Sequence, residues 1–414
     1  MRGVSVFGLG FVGLTTALGF ADKGFAVRGY DVDKERVETI AAGRLPFIEP
    51  GLDDALKRCL GRTFTLADSP AAAVEESDAV FFCVGTPCGE NGRADLTYLF
   101  SALDAARPAL ADGRFRALTV KSTVPPGTTS GEVIPHTSGW AGDFAVANNP
   151  EFLREGKCWE DFTQPDRIVV GAEDLRAAAL LRELYEPFGA PVHLVSLNTG
   201  EYIKYLSNTL LANLISWSNE MALMADALGG VEVGPAFRIL HEDKRLRGSG
   251  IRTYIYPGCG YGGYCLPKDT RALAARAAAS GFEPRILREV IAANDGMPAA
   301  AAEKIQKILP KGKPLGVLGL SFKPESDDVR DSPAAKIIGE LVKRGYSEFF
   351  AYDPVANGVF DAVYKLAGVT YCDTAEEVIE KCDTIAVVTT WAEFAGLSER
   401  WPGKRWADCR YFLK

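Results

Sequence analysis

The stretch Gly8-Leu9-Gly10-Phe11-Val12-Gly13 limits the fold more than any other part of this 414-residue chain. It stands between a short apolar run, Val4-Ser5-Val6-Phe7, and a helical pattern through Leu14, Leu18 and Ala21 to Lys23-Gly24. A second short run, Ala26 to Tyr30, ends at Asp31, 18 positions after the last glycine. Strand, glycine turn, helix and strand in this order open a dinucleotide-binding βαβ unit. Gly8 makes the tight turn, Gly10 lets a pyrophosphate approach the backbone, and Gly13 lets helix and strand pack. The helix start, with Phe11 and Val12 in its first turn, supplies unpaired N–H groups and the positive end of the helix dipole. A carboxylate at Asp31 accepts from the adenosine ribose hydroxyls and repels a 2′-phosphate, so NAD is expected rather than NADP. Arg36 either offsets that repulsion or lies against the adenine.

A chain of this length exceeds one ordinary domain, and two or three are expected. The apolar content of 47% and charged content of 24% suit a globular protein. A net charge of -8 argues against a nucleic-acid partner. Nine cysteines stand without CxxC pairs, and there are three histidines, so no metal site is expected. The thiols read as reduced, and no secretory leader opens the chain, so a cytoplasmic location is expected. No run of 18 apolar residues occurs, so no membrane span is expected.

Further apolar runs end in small polar residues. Ala79 to Val84 leads to Gly85-Thr86-Pro87, and Ala117 to Lys121 leads to Ser122-Thr123-Val124-Pro125-Pro126-Gly127. In an open parallel sheet the ligand lies at the carboxyl ends of the strands. Thr86, Ser122 and Thr123 either meet the cofactor there or are ordinary turn residues. A strand through Phe144 to Ala147 gives way to a polar turn with two carboxylates, Glu151 and Glu155, and Pro165 to Gly171 reads as another strand. From about Thr199 to Leu228 runs a long helix, where Lys204 and Asn208 share a face. Lys204 by itself reads as a surface lysine. The wide apolar surface of this helix points to burial, partly in a subunit interface. The basic run from His241 to Arg252 either meets phosphate or sugar from a neighbouring chain or is a solvated face.

Next, Gly258 to Gly263 holds four glycines in six residues, followed by Cys265, Lys268 and Asp269. Such a loop either seats a substrate beside an ionisable thiol or is a turn with a buried cysteine. The last third alternates strands, Pro314 to Leu320, Phe349 to Pro354 and Thr384 to Trp391, with a helix from about Ser332 to Lys343. That is a second parallel sheet. The expected fold is α/β, with two Rossmann-like parallel-sheet domains joined by a long central helix. The expected divisions are 1–195, 196–300 and 301–414.

In order along nearly the whole chain, GLGFVG, Asp31-Val32-Asp33, Gly85-Thr86-Pro87, STVPPGT, NPEFLREG, Lys204 with Asn208, GYGGYCLPKD, LGLSFKPESDDVRDSP and YDP resemble the UDP-glucose/GDP-mannose dehydrogenases. The GYGGYCLPKDT form looks most like the bacterial UDP-glucose 6-dehydrogenases of that family. The resemblance implies an NAD-dependent four-electron oxidation of the C6 alcohol of a nucleotide sugar to a carboxylate, UDP-glucose to UDP-glucuronate, through a thiohemiacetal and a thioester on Cys265. GDP-mannose or another UDP-sugar is the alternative substrate, and a two-electron hydroxyacid dehydrogenase is the alternative chemistry. By resemblance, the catalytic residues are Cys265, Lys204, Asn208, Asp269, Glu151 and Thr123. Glu155, Lys268 and Arg330 join the glycine turn in reaching NAD. The sugar nucleotide falls to Glu151, Phe152, Leu153, Arg154, Lys204, Asn208, Tyr256, Gly260, Tyr261, Gly262, Lys323 and Arg410. The resemblance also implies a homodimer or higher homo-oligomer, with Arg245 lent to a neighbouring site. Two departures stand out: Asp408-Cys409-Arg410 replaces the family's Asp-Gly-Arg, and the basic loop at 243–252 is lengthened.

Overall fold

A computed structural model describes residues 2–248 and 250–413. The expected basic loop therefore contains one position, Ser249, outside the described residues. The chain divides into two compact units, one up to Leu206 and one from Ser207 onward.

The first unit is built on an eight-stranded sheet. Its strands are β1 Gly3–Phe7, β2 Ala26–Tyr30, β3 Phe64–Leu66, β4 Ala79–Phe82, β5 Phe115–Val120, β6 Asp143–Asn148, β7 Ile168–Ala172 and β8 Val192–Val195. They lie in the order β3-β2-β1-β4-β5-β6-β7-β8. Both faces are covered, which explains the unbroken apolar runs. Ala79 and Phe81 join one core and Val80 and Phe82 the other, as the two-residue period of a strand requires.

One pair departs from the expected parallel sheet. β6 and β7 run antiparallel, Asn148 opposite Gly171. The chain between them contains only the six-residue helix Cys158–Thr163 and does not return to the other end of the sheet. A parallel pair needs that return.

The second unit contains a five-stranded sheet, all parallel. Its strands are β9 Leu315–Leu318, β10 Phe349–Tyr352, β11 Val369–Tyr371, β12 Thr384–Val387 and β13 Arg405–Asp408, in the order β11-β10-β9-β12-β13. The expected strand to Trp391 stops at Val387. This plan repeats that of β3-β2-β1-β4-β5 down to single hydrogen bonds. Gly8 donates to the Tyr30 carbonyl at 2.8 Å, and Gly319 donates to the Tyr352 carbonyl at 2.9 Å. Both glycines sit at positive φ, +86° and +91°, where a side chain is strained.

The long helix spans Leu197–Leu228. Leu206, Leu210, Trp217, Leu223 and Met224 are exposed, whereas Ala212, Ser216, Ser218, Asn219 and Ala222 are buried. The small and polar face is the one that lets neighbouring backbone approach closely.

The loop after β9 is tied down by Asp353, which is buried at the end of β10. Its Oδ2 accepts from the backbone of Leu320 and Ser321, the Ser321 hydroxyl and the Trp391 indole, while Oδ1 accepts from Val355 and Ala356. Removing one acceptor strands several buried donors. Asp353→Ala is expected to lower stability by about 3–5 kcal/mol, read as a lower midpoint in urea unfolding followed by tryptophan fluorescence.

Candidate active site

The first helix, Phe11–Asp22, has Gly10 as its N-cap. The three motif glycines have different jobs. A Cβ on Gly13 would lie 1.7 Å from the Gly8 carbonyl oxygen, and one on Gly8 would lie 2.9 Å from the Cys83 carbonyl oxygen. A Cβ on Gly10 would meet nothing within 4 Å. So Gly8 and Gly13 serve the fold, and Gly10 leaves open space over the helix N-terminus. That cradle suits a pyrophosphate. Phe11 stacks on Phe47, ring centroids 3.9 Å apart, and Val12 is half-buried beside it.

Asp31 faces this turn. Its Oδ2 accepts from Leu9 N at 2.6 Å and its Oδ1 from Asp33 N at 2.9 Å. Arg36 folds back onto Asp31 at 2.8 Å and Asp33 at 3.2 Å. The arginine is held between two carboxylates, which opposes a phosphate there. Thr86 and Ser122 also tie the loops together: Thr86 donates to the Thr123 carbonyl at 2.8 Å and Ser122 to the Val84 carbonyl at 2.6 Å.

Lys204 is not a surface lysine. It is 4% exposed and pairs with Glu151, Nζ to Oε1, at 2.8 Å. Glu151 also accepts from Leu153 N at 2.6 Å through Oε2. Burial pushes the Glu151 carboxyl up, but Lys204 and these hydrogen bonds outweigh it and hold the group below its ordinary range. Thr123, Ser122, Pro150 and Lys204 line a shared pocket. Phe152 carries the Arg167 guanidinium at 4.1 Å from its ring centroid and lies 5.8 Å from the Lys204 ammonium. Arg154 is fastened to Asp161 at the outer edge of the turn, and Glu155 is half-buried next to it.

Two carboxylates that the motifs do not signal hold this site in shape. Glu201, one turn before Lys204, accepts from Gly127 N at 2.6 Å, Thr129 N at 2.7 Å and the Thr129 hydroxyl at 2.6 Å. It joins the STVPPGT loop to the helix that carries Lys204. Glu49 accepts from Gly156 N and Cys158 N at 2.9 and 2.7 Å and braces the NPEFLREG turn. Burial raises both carboxyls above their ordinary range. A buried acid among backbone donors was the only available signal, and only the fold reveals it.

In the second unit Cys265 is exposed at the first position of the helix Cys265–Ala279. Lys268 and Asp269 lie one turn on, both buried. Asp269 takes Lys268 Nζ on Oδ1 at 2.5 Å and Asn208 Nδ2 on Oδ2 at 2.6 Å. Burial pushes the Lys268 ammonium down, but Asp269 and Cys265 together raise it above its ordinary value. The Tyr264 ring has Lys268 5.5 Å and Arg330 4.7 Å from its centroid. Arg330 is itself paired with Asp328 at 2.7 Å.

The glycines before Cys265 make close approaches to the protein's own neighbours. A Cβ on Gly258 would meet Arg410 at 2.5 Å, on Gly260 the Asn294 amide at 2.7 Å, and on Gly262 the Asp331 carbonyl at 2.5 Å. Asn294 brackets Tyr261, accepting from its N–H at 2.7 Å and donating to its carbonyl at 3.1 Å. Tyr256 donates to the Tyr411 carbonyl at 2.7 Å. Lys323 lies 5.4 Å from the Phe322 ring centroid. Arg245 is different: its side chain is 87% exposed and, among the described residues, its ion pair is with Asp243 at 2.6 Å.

A dinucleotide cradle in the first unit, and a helix-terminal cysteine backed by lysine and aspartate in the second, define an oxidoreductase of the dinucleotide-binding α/β class. The UDP-glucose/GDP-mannose dehydrogenase family matches in three parts: its NAD binding domain over residues 2–189, its central domain over 198–296 and its UDP binding domain over 316–414. A UDP-glucose 6-dehydrogenase of Pseudomonas aeruginosa is 37% identical over 406 residues, 94% of this chain and 88% of that protein. The structure of a UDP-glucose dehydrogenase from Pyrobaculum islandicum superposes with a TM-score of 0.90 at 40% identity, over 95% of this chain and 91% of that one. A UDP-D-ManNAc dehydrogenase from Pyrococcus horikoshii superposes with a TM-score of 0.81 at 31% identity, over 95% and 90%. The chain belongs to the UDP-glucose/GDP-mannose dehydrogenase family and is an NAD-dependent nucleotide-sugar dehydrogenase. Among the described residues no helix is long and apolar enough to cross a membrane.

Two outcomes follow for the first unit. Asp31→Ala is expected to raise the KM for NAD about tenfold and to narrow the preference over NADP, measured as kcat/KM with each cofactor. Glu201→Ala is expected to lower kcat about tenfold by loosening the loop that carries Thr123, measured under saturating substrates with circular dichroism as the folding control.

Proposed function

We propose that this enzyme oxidises UDP-glucose at C6 to UDP-glucuronate, with Cys265 as the covalent anchor. The observation that carries the reading is Cys265 itself: exposed, at a helix N-terminus, with Lys268 and Asp269 one turn behind. A helix N-terminus and a nearby ammonium both favour the thiolate. The names of the Pseudomonas and Pyrobaculum relatives favour UDP-glucose, and the Pyrococcus relative keeps other UDP-sugars as the alternative.

Bound NAD supplies a hydride acceptor for each of the two oxidations. In this reading Gly8, Gly10, Phe11, Val12, Gly13, Asp31, Arg36, Thr86 and Ser122 hold it, with Glu155, Lys268 and Arg330 reaching it. Lys204 and Asn208 line the oxygen on C6, and the ammonium steadies negative charge as the alcohol loses its proton. Ionised Glu151 takes up that proton through water, with Thr123 assisting. Departure of a hydride leaves an aldehyde. The Cys265 sulfur adds to its carbon and gives a thiohemiacetal. Loss of the second hydride leaves a thioester, and water positioned by Asp269 cleaves it to the carboxylate and frees the thiolate. Two hydrides leave and one water enters, so the aldehyde stays bound throughout.

Residues 1–195 would serve NAD, 196–300 the cysteine loop and assembly, and 301–414 the nucleotide. Tyr256, the Gly260-Tyr261-Gly262 backbone, Lys323 and Arg410 would hold the sugar nucleotide, as would Glu151, Phe152, Leu153 and Arg154. The exposed Arg245 would serve a neighbouring copy in a homo-oligomer.

The test is a panel of UDP-glucose, UDP-galactose, UDP-N-acetyl sugars and GDP-mannose, scored by NADH formed per sugar consumed. UDP-glucose is expected to give the highest kcat/KM with two NADH per sugar; a yield of one sinks the four-electron reading. Cys265→Ser is expected to lower the steady-state rate roughly a thousandfold or more, since an ester resolves more slowly than a thioester. Full activity in that variant would remove Cys265 from the mechanism.

A further inference from the structure

Behind the Glu151–Lys204 pair lies a second buried lysine that no motif role accounts for. Lys121 follows directly on β5, two residues before Thr123, and is 3% exposed. Its ammonium donates to Asn149 Oδ1 at 2.8 Å and to the Tyr185 hydroxyl at 3.4 Å. Among the described residues no carboxylate pairs with it directly. A cation buried against neutral acceptors is costly to keep. Burial accordingly pushes its pKa down to about 8.

The surroundings fix its place. Asn149 donates to the Val169 carbonyl at 2.7 Å, and its own N–H reaches the Val120 carbonyl at 2.9 Å. Tyr185 also donates to Asn149 Oδ1. The amide that holds Lys121 is thus two residues from Glu151. The ionisable groups facing Lys121 are Cys83 at the end of β4, Glu151, Lys204 on the long helix and Tyr185. Those facing Glu151 are Lys204, Lys121, Cys83 and Cys158. Burial holds both thiols and the tyrosine above their ordinary values, Cys83 at about 12. They are neutral near pH 7, so the local charges are those of Lys121, Glu151 and Lys204.

We propose that Lys121 is a positioning residue of the reaction, a fixed buried cation that keeps Glu151 ionised beside Lys204. This rests on the reading of Glu151 as the carboxylate that takes up the substrate proton. Lys204 by itself must balance the Glu151 charge while it also steadies charge on the substrate oxygen. A second cation, out of the proton path, keeps Glu151 in the carboxylate form that can receive the substrate proton.

The test is the pH dependence of kcat, with the nucleotide sugar that performs best in the panel above. Lys121→Gln keeps a donor for Asn149 without the charge, Lys121→Met removes both, and Lys121→Arg keeps the charge. Removing the cation raises the Glu151 pKa. The acid limb of Lys121→Gln and Lys121→Met is therefore expected to move up by ~0.5 pH unit or more. The KM values for NAD and sugar are expected to stay within about twofold, and Lys121→Arg should keep the wild-type limb. If Lys121→Met does not fold, Lys121→Gln carries the comparison. A wild type that oxidises no nucleotide sugar in the panel would sink the catalytic reading and this one with it. An active wild type whose acid limb is unmoved in Lys121→Gln overturns the role of Lys121 alone.

Discussion

The first unit depends on a buried ion pair, Lys204 with Glu151, 2.8 Å apart and nearly closed to solvent. Burying two charges costs several kcal/mol each unless geometry and hydrogen bonds recover it. Much of the surrounding chain can be understood as that recovery. Glu151 is steadied by Leu153 N, its turn is braced by Glu49, and the helix bearing Lys204 is bound to the neighbouring loop through Glu201. Two of the loops around the pair are thus fastened by buried carboxylates, Glu49 and Glu201.

The two sheets carry the same five-strand plan but have spent its acidic residue differently. Asp31 and Asp353 each end the second strand of their plan and each accept from the backbone after the first strand. Asp31 has three internal partners, Leu9 N, Asp33 N and Arg36, and stands by an open cradle. Asp353 is filled on both oxygens, including by the Trp391 indole, and is part of the core. An aspartate so occupied has no acceptor capacity left for a ribose. The repeat is therefore one of architecture, and the glycine at positive φ is what both copies need.

Legibility in the sequence followed the range of the interaction. The glycine turn, Asp31 and the cysteine-lysine-aspartate group were readable because each depends on neighbours a few residues away. Lys204 was readable only as one of a pair spaced by a helical turn, and spacing alone left it a surface lysine. Glu201 was invisible: it works by accepting from backbone donors 72 and 74 residues away. The antiparallel β6–β7 pair was equally hidden, since its strands look like their parallel neighbours.

By itself the sequence determined which backbone conformations and chemical groups are present. Glycines at set intervals permit a cradle, an acid follows the second strand, and one cysteine opens a helix. Tertiary structure decided which of those groups carry charge out of water. Burial turned Lys204 and Lys121 from ordinary lysines into buried cations, and packed the glycines before Cys265 against Arg410, Asn294 and Asp331. Desolvation and pairing depend on residues far apart in the chain, and no local pattern encodes them.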